Sequence, residues 1–305
     1  MITTPPALRK GQTIGMTCPA GYMPKENAAT CIRTLQAWGY EVLVGQTLGS
    51  DSDNYFSASD EERLFELQAM LDAPEVHAIL FGRGGYGMSR IIDRLDFKAF
   101  KKNPKWLISF SDITLLHNHI HRKFGISTIH GPMAAAFQPG NGYNENVQSL
   151  QQALKGKKIN YRTNPHPQNQ IGKASGVLVG GNLAILAHAI GTPSDINTDG
   201  KILLLEDVGE YRYNIDRLLY QLKRAGKLKN LTAAVIGTFT DTKDTVRPFG
   251  QSVTEIIQAV FSEYTYPLCF EFPVGHGTEN RAVKLGINYQ PTISKQAVSL
   301  KELAG

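Results

Sequence analysis

The chain has 305 residues, of which 42% are hydrophobic and 19% charged, with 29 Gly and 15 Pro; this excludes collagen-like, coiled-coil and disordered chains. At roughly 150 residues per domain the length suggests about two domains. The net charge of +5 would suit an acidic partner if the basic residues clustered, but the densest run, Lys155 to Lys158, is short and lacks interleaved aromatic residues, so no nucleic-acid partner is expected.

Apolar runs alternate with helical patterns through the first half. Thr13 to Thr17 reads as a strand, Lys25 to Trp38 as a helix stopped by Gly39, and Tyr40 to Val44 as the next strand. Ser59 to Leu71 reads as a helix opened by a capping box, with Ser59 and Glu62 satisfying each other's free backbone N–H groups. Then follow a strand at His77 to Phe81, a short helix at Met88 to Asp93, a strand at Trp106 to Phe110 and a helix at Ile113 to Phe124. Strands separated by helices imply a mostly parallel sheet with helices on both faces.

From Gln138 to Ser175 the composition shifts to Asn, Gln, Pro, Gly and Lys, with a helical pattern only over Asn144 to Leu154. The expected division is a domain over 1–150, a linker over 151–174 and a second domain over 175–305. The second half reads as strands at Gly176 to Val179, Lys201 to Leu205, Ala233 to Gly237 and Leu268 to Phe272, with shorter ones towards the C-terminus. Its clearest helix, Tyr213 to Ala225, carries an apolar stripe of Ile215, Leu218, Leu219 and Leu222 and ends at Gly226. This half is expected to be mixed rather than regularly alternating.

Cys18, Cys31 and Cys269 form no CxxC pair, which argues against a disulfide framework or structural zinc and fits a reducing compartment. The segment MITTPPALRKGQT has no signal-peptide core, and no stretch approaches the 18 or so apolar residues of a membrane span. A cytoplasmic protein without a membrane partner is expected.

Four glycines lie within Gly82-Arg83-Gly84-Gly85-Tyr86-Gly87, which follows a strand and satisfies G-x-G-x-x-G. Its unblocked amides suit a dinucleotide phosphate, an oxyanion or merely a tight turn. Ser111 and Asp112 stand where an apolar strand turns into a helix, the position of a nucleophile elbow and equally of an ordinary helix cap. Glu206 follows Lys201 to Leu205, with Asp207 and Glu210 close behind; strand-end carboxylates also simply mark the exit to solvent. His276 lies between Gly275 and Gly277, open on both flanks to reach a reacting group or to sit at a surface turn. His117 and His121 share a helix face, but the glutamate of H-E-x-x-H is absent, so no metal site is expected.

Six short motifs occur in order: RGGYG at Arg83 to Gly87, SFSD at Ser109 to Asp112, HGPM at His130 to Met133, GGNLAIL at Gly180 to Leu186, LLEDVGE at Leu204 to Glu210 and GHG at Gly275 to Gly277. Together they resemble the LD-carboxypeptidase (muramoyltetrapeptide carboxypeptidase) family of serine peptidases, from about Gly11 to Gly286. The resemblance implies an α/β protein: a Rossmann-like parallel-sheet N-terminal domain and a mixed C-terminal domain with a small β-barrel. It also implies a triad of nucleophile Ser111, acid Glu206 and base His276, and an oxyanion hole from the Gly85 and Asp112 backbone amides. Ser109 departs from the family pattern, which usually has Gly there.

By the same resemblance the enzyme is a cofactor-free homodimer that removes the terminal D-alanine of muropeptide tetrapeptides in peptidoglycan recycling. Two alternatives stay open. One is a peptide-antibiotic (microcin-type) immunity peptidase of the same family; the other is a dinucleotide-binding protein using Gly82 to Gly87. A carboxypeptidase must also read a terminal carboxylate, and Arg83, Arg212 and Arg281 are the candidates.

Overall fold

The computed structural model describes Ile2–Gln138 and Asn144–Ala304, so residues 139–143 of the Asn- and Gly-rich stretch lie outside the described residues. Five strands of the first half, β1 (Thr13–Thr17), β2 (Glu41–Val44), β3 (Val76–Phe81), β4 (Trp106–Ser109) and β5 (Thr128–His130), pair in parallel in the order β5-β4-β3-β1-β2. Between them run α1 (Ala29–Ala37), α2 (Asp60–Asp72), α3 (Met88–Ile91), α4 (Lys98–Lys102) and α5 (Thr114–Phe124). Side chains alternate across the sheet. Ile14 and Met16 share a core with Cys31 and Leu35 of α1, whereas Ile79 and Phe81 share one with Leu67 and Met70 of α2. Both faces are thus covered, as a parallel sheet requires.

The expected elements recur with local differences. Lys25–Ala28 is a 3-10 turn ahead of α1, and Ile92–Arg94 another after α3. The capping box at Ser59 is formed in full. The two short elements β5 and α4 have no apolar period of their own; β5 is held by its neighbours in the sheet.

The rest of the chain supplies α6 (Glu145–Leu154), β6 (Asn160–Thr163), β7 (Gly172–Lys173), β8 (Gly176–Asn182), α7 (Leu183–His188), β9 (Lys201–Val208), α8 (Arg212–Arg224), β10 (Ala233–Thr240), α9 (Val253–Phe261), β11 (Leu268–Cys269), β12 (Val283–Leu285), β13 (Asn288–Ile293) and β14 (Val298–Glu302). A mixed eight-stranded sheet runs β11-β10-β9-β8-β13-β14-β6, with β7 on β13. The stretch 151–174 therefore carries two strands of this sheet. Its ladders form an open path among the described residues rather than a closed barrel; an isolated bridge, Gln170 to Leu268, joins the segment before β7 to the edge strand β11.

Two features fasten the halves together. β12 pairs antiparallel with β5, setting Val283 opposite His130. At the start of α5, Thr114 Oγ1 accepts from the Asn182 amide at 3.1 Å, and a Cβ on Gly181 would fall 2.6 Å from the same oxygen. Among the described residues no helix is long and apolar enough to cross a membrane. All three cysteines are buried and unbonded to one another.

Candidate active site

β4 ends at Ser109, Phe110 is extended, and Ser111 then takes φ +63°, one of three non-glycine residues in the left-handed region among the described residues. A non-glycine residue held there costs about 1–3 kcal/mol and persists only where the surroundings enforce it. A 3-10 turn, Ser111–Ile113, leads directly into α5, so the hydroxyl sits at the carboxyl edge of the sheet beside the unpaired amides of a helix start. Ser109 is fully buried, its carbonyl accepting from the Gly131 amide and meeting His117 Nε2 at 3.1 Å each.

The glycine loop lies against this turn. A Cβ on Gly84 would stand 2.9 Å from Ser111 Cβ, 3.1 Å from its Oγ and 3.4 Å from the Asp112 amide nitrogen, so only glycine fits. The Gly84 carbonyl accepts from the Gly21 amide at 3.0 Å, and the Gly85 amide makes no backbone hydrogen bond among the described residues. At the loop's exit, the Met88 amide donates to Asp112 Oδ2 at 2.8 Å. Burial pushes the Asp112 carboxyl up to about 6, against the pull of the Met88 amide and the Arg63 charge.

Arg63, which sequence reasoning missed, is fully buried on α2 and donates to the carbonyls of Pro19, Ala58 and Gly87. It ties three chain segments together behind the loop. Its charge is also matched by Asp60.

Glu206 lies inside β9, which runs on to Val208 rather than stopping at Leu205, and its side chain is fully buried. Its Oε2 is 2.6 Å from His276 Nδ1. With the carboxylate ionised, Nδ1 must carry the proton, which leaves Nε2 as the acceptor. The glycines flanking His276 are there for close approach, not for exposure. A Cβ on Gly275 would meet Glu206 Cβ at 2.8 Å, one on Gly277 would meet Thr238 Cγ2 at 2.8 Å, and the imidazole is only 16% exposed.

Phe110 brings the two halves of the site together, because its ring centroid is 4.7 Å from that of His276 while its backbone leads into Ser111. No hydrogen bond joins Ser111 to His276 among the described residues; such contacts are often long before substrate binds. A cavity of about 1130 Å³ between β2 and α2 contains none of these residues.

Asp207 and Glu210 are occupied elsewhere. Asp207 accepts from Asn182 Nδ2 and from the Ala184 and Val208 amides, and Glu210 accepts from Asn214 on α8. Among the guanidinium candidates, Arg212 pairs with Asp244 and Arg281 with Glu145 and Glu279, whereas Arg83 donates to the Tyr22 carbonyl. His117 and His121 do not converge with other ligating side chains, and the described residues contain no group of three or more that could hold a metal.

Residues 14–131 match the LD-carboxypeptidase N-terminal domain, and 175–290 match the LD-carboxypeptidase C-terminal domain. The probable murein peptide carboxypeptidase of Bacillus subtilis is 34% identical over 92% of this chain and 89% of its own length. The murein tetrapeptide carboxypeptidase of Pseudomonas aeruginosa is 30% identical over 90% of this chain and 91% of its own. The crystal structure of muramoyltetrapeptide carboxypeptidase from Oxalobacter formigenes superposes with a TM-score of 0.86 at 27% identity, covering 96% of this chain and 99% of that one. With both of its domain types matched in order, this chain belongs to the LD-carboxypeptidase family.

Proposed function

We propose that the protein is a serine carboxypeptidase that hydrolyses the bond before the terminal D-alanine of murein tetrapeptides. The observation that carries this is the 2.6 Å contact of buried Glu206 with His276, whose ring packs on Phe110, the residue before a serine held at φ +63°. Ser111 Oγ attacks the scissile carbonyl carbon while His276 Nε2 takes its proton. The tetrahedral oxyanion is met by the Gly85 and Asp112 amides, each worth roughly 3 kcal/mol at the transition state. As the C–N bond breaks, the proton passes from His276 to the leaving amine of D-alanine, and an acyl ester remains on Ser111. Water then attacks that ester, giving its proton to His276, and the regenerated serine takes the proton back. Throughout, Glu206 holds the imidazole tautomer and offsets the imidazolium charge.

In this reading the first domain carries the nucleophile and the second carries the acid and base. The small barrel implied for the second domain is supported by the Gln170–Leu268 bridge. A homodimer acting in the cytoplasm completes the reading, on the strength of the family resemblance. The dinucleotide alternative is disfavoured because Ser111 itself packs against Gly84, and because that alternative leaves the Glu206–His276 pair without a role.

The test is mass spectrometry of a muropeptide digest, with fluorophosphonate labelling to locate the nucleophile. Loss of one alanine per tetrapeptide and a label on Ser111 are expected. An unchanged tetrapeptide together with cleavage of a peptidyl nucleotide would favour the immunity-peptidase alternative instead.

A further inference from the structure

We infer that Arg83 is the residue that reads the free carboxylate of the leaving residue, and so makes this hydrolase an exopeptidase. The inference rests on the serine-carboxypeptidase reading above and concerns the one group in the substrate which that chemistry leaves unaccounted for.

The carboxylate to be recognised lies close to the atom that Ser111 attacks. Consecutive Cα atoms across a trans peptide are about 3.8 Å apart, so the terminal carboxylate stands within roughly one residue's length of the scissile carbonyl. Its reader must therefore border the nucleophile and the oxyanion donors. Arg83 does so: the next residue, Gly84, packs on Ser111, and the one after that is Gly85. A Cβ on Gly21 would lie 3.7 Å from both Arg83 Nε and Gly85 Cα, so the guanidinium and the Gly85 backbone flank the same point.

The three candidate arginines differ in what already neutralises them. Arg212 is spent on Asp244 and the Gln251 carbonyl. Arg281 is spent on Glu145 and Glu279 and lies over the Tyr161 ring. Among the described residues Arg83 has no carboxylate partner. Its one hydrogen bond, Nη1 to the Tyr22 carbonyl at 2.7 Å, fixes the plane of the guanidinium and leaves Nε and Nη2 to donate. A fork held in this way is preorganised for a carboxylate, so little side-chain entropy remains to be lost when substrate binds. Two tyrosines stand by the loop. Tyr86 and Tyr55 are exposed, and the Tyr55 hydroxyl is 3.0 Å from the place a Gly85 side chain would occupy. Substrate closing over this loop dries the ion pair and raises its worth above that of a surface salt bridge.

The test compares a tetrapeptide ending in free D-alanine with its C-terminal amide, using wild type, Arg83→Met and Arg83→Lys. Wild type is expected to prefer the free acid by about a hundredfold or more in kcat/KM, the loss expected when a charged partner is left unmatched. Arg83→Met should lose that factor on the free acid yet cleave the amide within about twofold of wild type, so that the preference collapses towards one. Arg83→Lys, a point charge without the fork, should fall between. An Arg83 that merely shaped the loop would lower both substrates together. If wild type discriminates and Arg83→Met discriminates equally well, the inference fails while the carboxypeptidase reading stands; equal cleavage of both substrates by wild type also overturns it. Release of no D-alanine from either substrate overturns the functional reading and this inference with it.

Discussion

Glu206 and Asp207 are consecutive in β9, and the two-residue period of the strand sends their carboxylates to opposite faces, Glu206 to His276 and Asp207 to Asn182 and the start of α7. Asp207 is almost fully buried, and burial pushes its carboxyl up to about 6 although three donors address it. In the proposed triad the first carboxylate orients the base. The other holds the junction between β8 and α7.

Substitutions in the three acids of LLEDVGE should separate accordingly. Glu206→Gln keeps the fold but lowers kcat by orders of magnitude, since an amide admits the wrong imidazole tautomer. Asp207→Asn replaces an oxygen with an NH2 group facing N–H donors, so it should cost about 1–3 kcal/mol of stability. Glu210→Gln should leave kcat within about threefold. D-Alanine release and thermal melts on the three variants measure this; a Glu210 effect larger than that of Glu206 would show the triad to be misassigned.

Ser111→Ala and Ser111→Gly should both be inactive, because no covalent ester can form. They should differ in stability. Alanine keeps the strain of φ +63°, whereas glycine adopts that conformation freely, so Ser111→Gly should be the more stable by about 1 kcal/mol, less any entropy cost in its unfolded state. Urea unfolding of the pair reads the difference, and equal stabilities would mean that the turn is not strained.

Much of this was legible in the sequence where the determinant is local. The Ser59–Glu62 capping box and the parallel strand-helix alternation follow from neighbouring residues and apolar period, and both are present. The proposed triad was legible only as ordered motifs, because Ser111, Glu206 and His276 each have an ordinary local explanation; the fold adds the Glu206–His276 contact and the packing of Phe110, next to Ser111, on His276. The glycines around His276 were visible, but their reason was not: the pressure comes from Glu206 and Thr238 on other strands. Arg63 carried no signal. It sits among charged residues in the first turns of α2, and nothing local shows that the carbonyls of Pro19 and Gly87 converge on it.

Gly84→Ala should be a catalytic lesion. Its Cβ would stand 2.9 Å from Ser111 Cβ and 3.1 Å from Oγ, and the serine turn is anchored by β4 and α5, so the glycine loop must move instead. A shift of about 1 Å in the loop would carry the Gly85 amide away from the oxyanion, at a cost of roughly a hundredfold in kcat. Stability should fall by about 1–3 kcal/mol, as for other overpacked sites. Steady-state kinetics together with melting temperatures check this, and unchanged kcat would remove the glycine loop from the oxyanion hole.

Acidification should destabilise the fold, and His130 should account for part of the slope. His130 is fully buried against Phe110, and both of its ring nitrogens lack hydrogen-bond partners among the described residues. Burial holds it well below the ordinary histidine value, with the neighbouring His117 and His276 adding to the effect, and burial likewise lowers His117 and His121 to about 4. A lowered histidine contributes stability that is present above the unfolded value of about 6.5 and is lost as pH falls, because only the unfolded chain takes up the proton. Asp112 and Asp207 act in the opposite sense: raised to about 6, they bind protons in the folded state first, and so regain stability as pH falls from about 6 towards 4. His119 is lowered and Asp216 raised in the same way, so four histidines stand against three carboxylates and leave a net loss. Each full proton of difference is worth about 1.4 kcal/mol per pH unit, so His130→Leu should flatten the dependence between about pH 6 and 4.5 by that amount, whatever its effect at neutral pH. Urea unfolding of both proteins across this range measures the two slopes, and equal slopes would mean that His130 takes up its proton as readily in the folded chain as in the unfolded one.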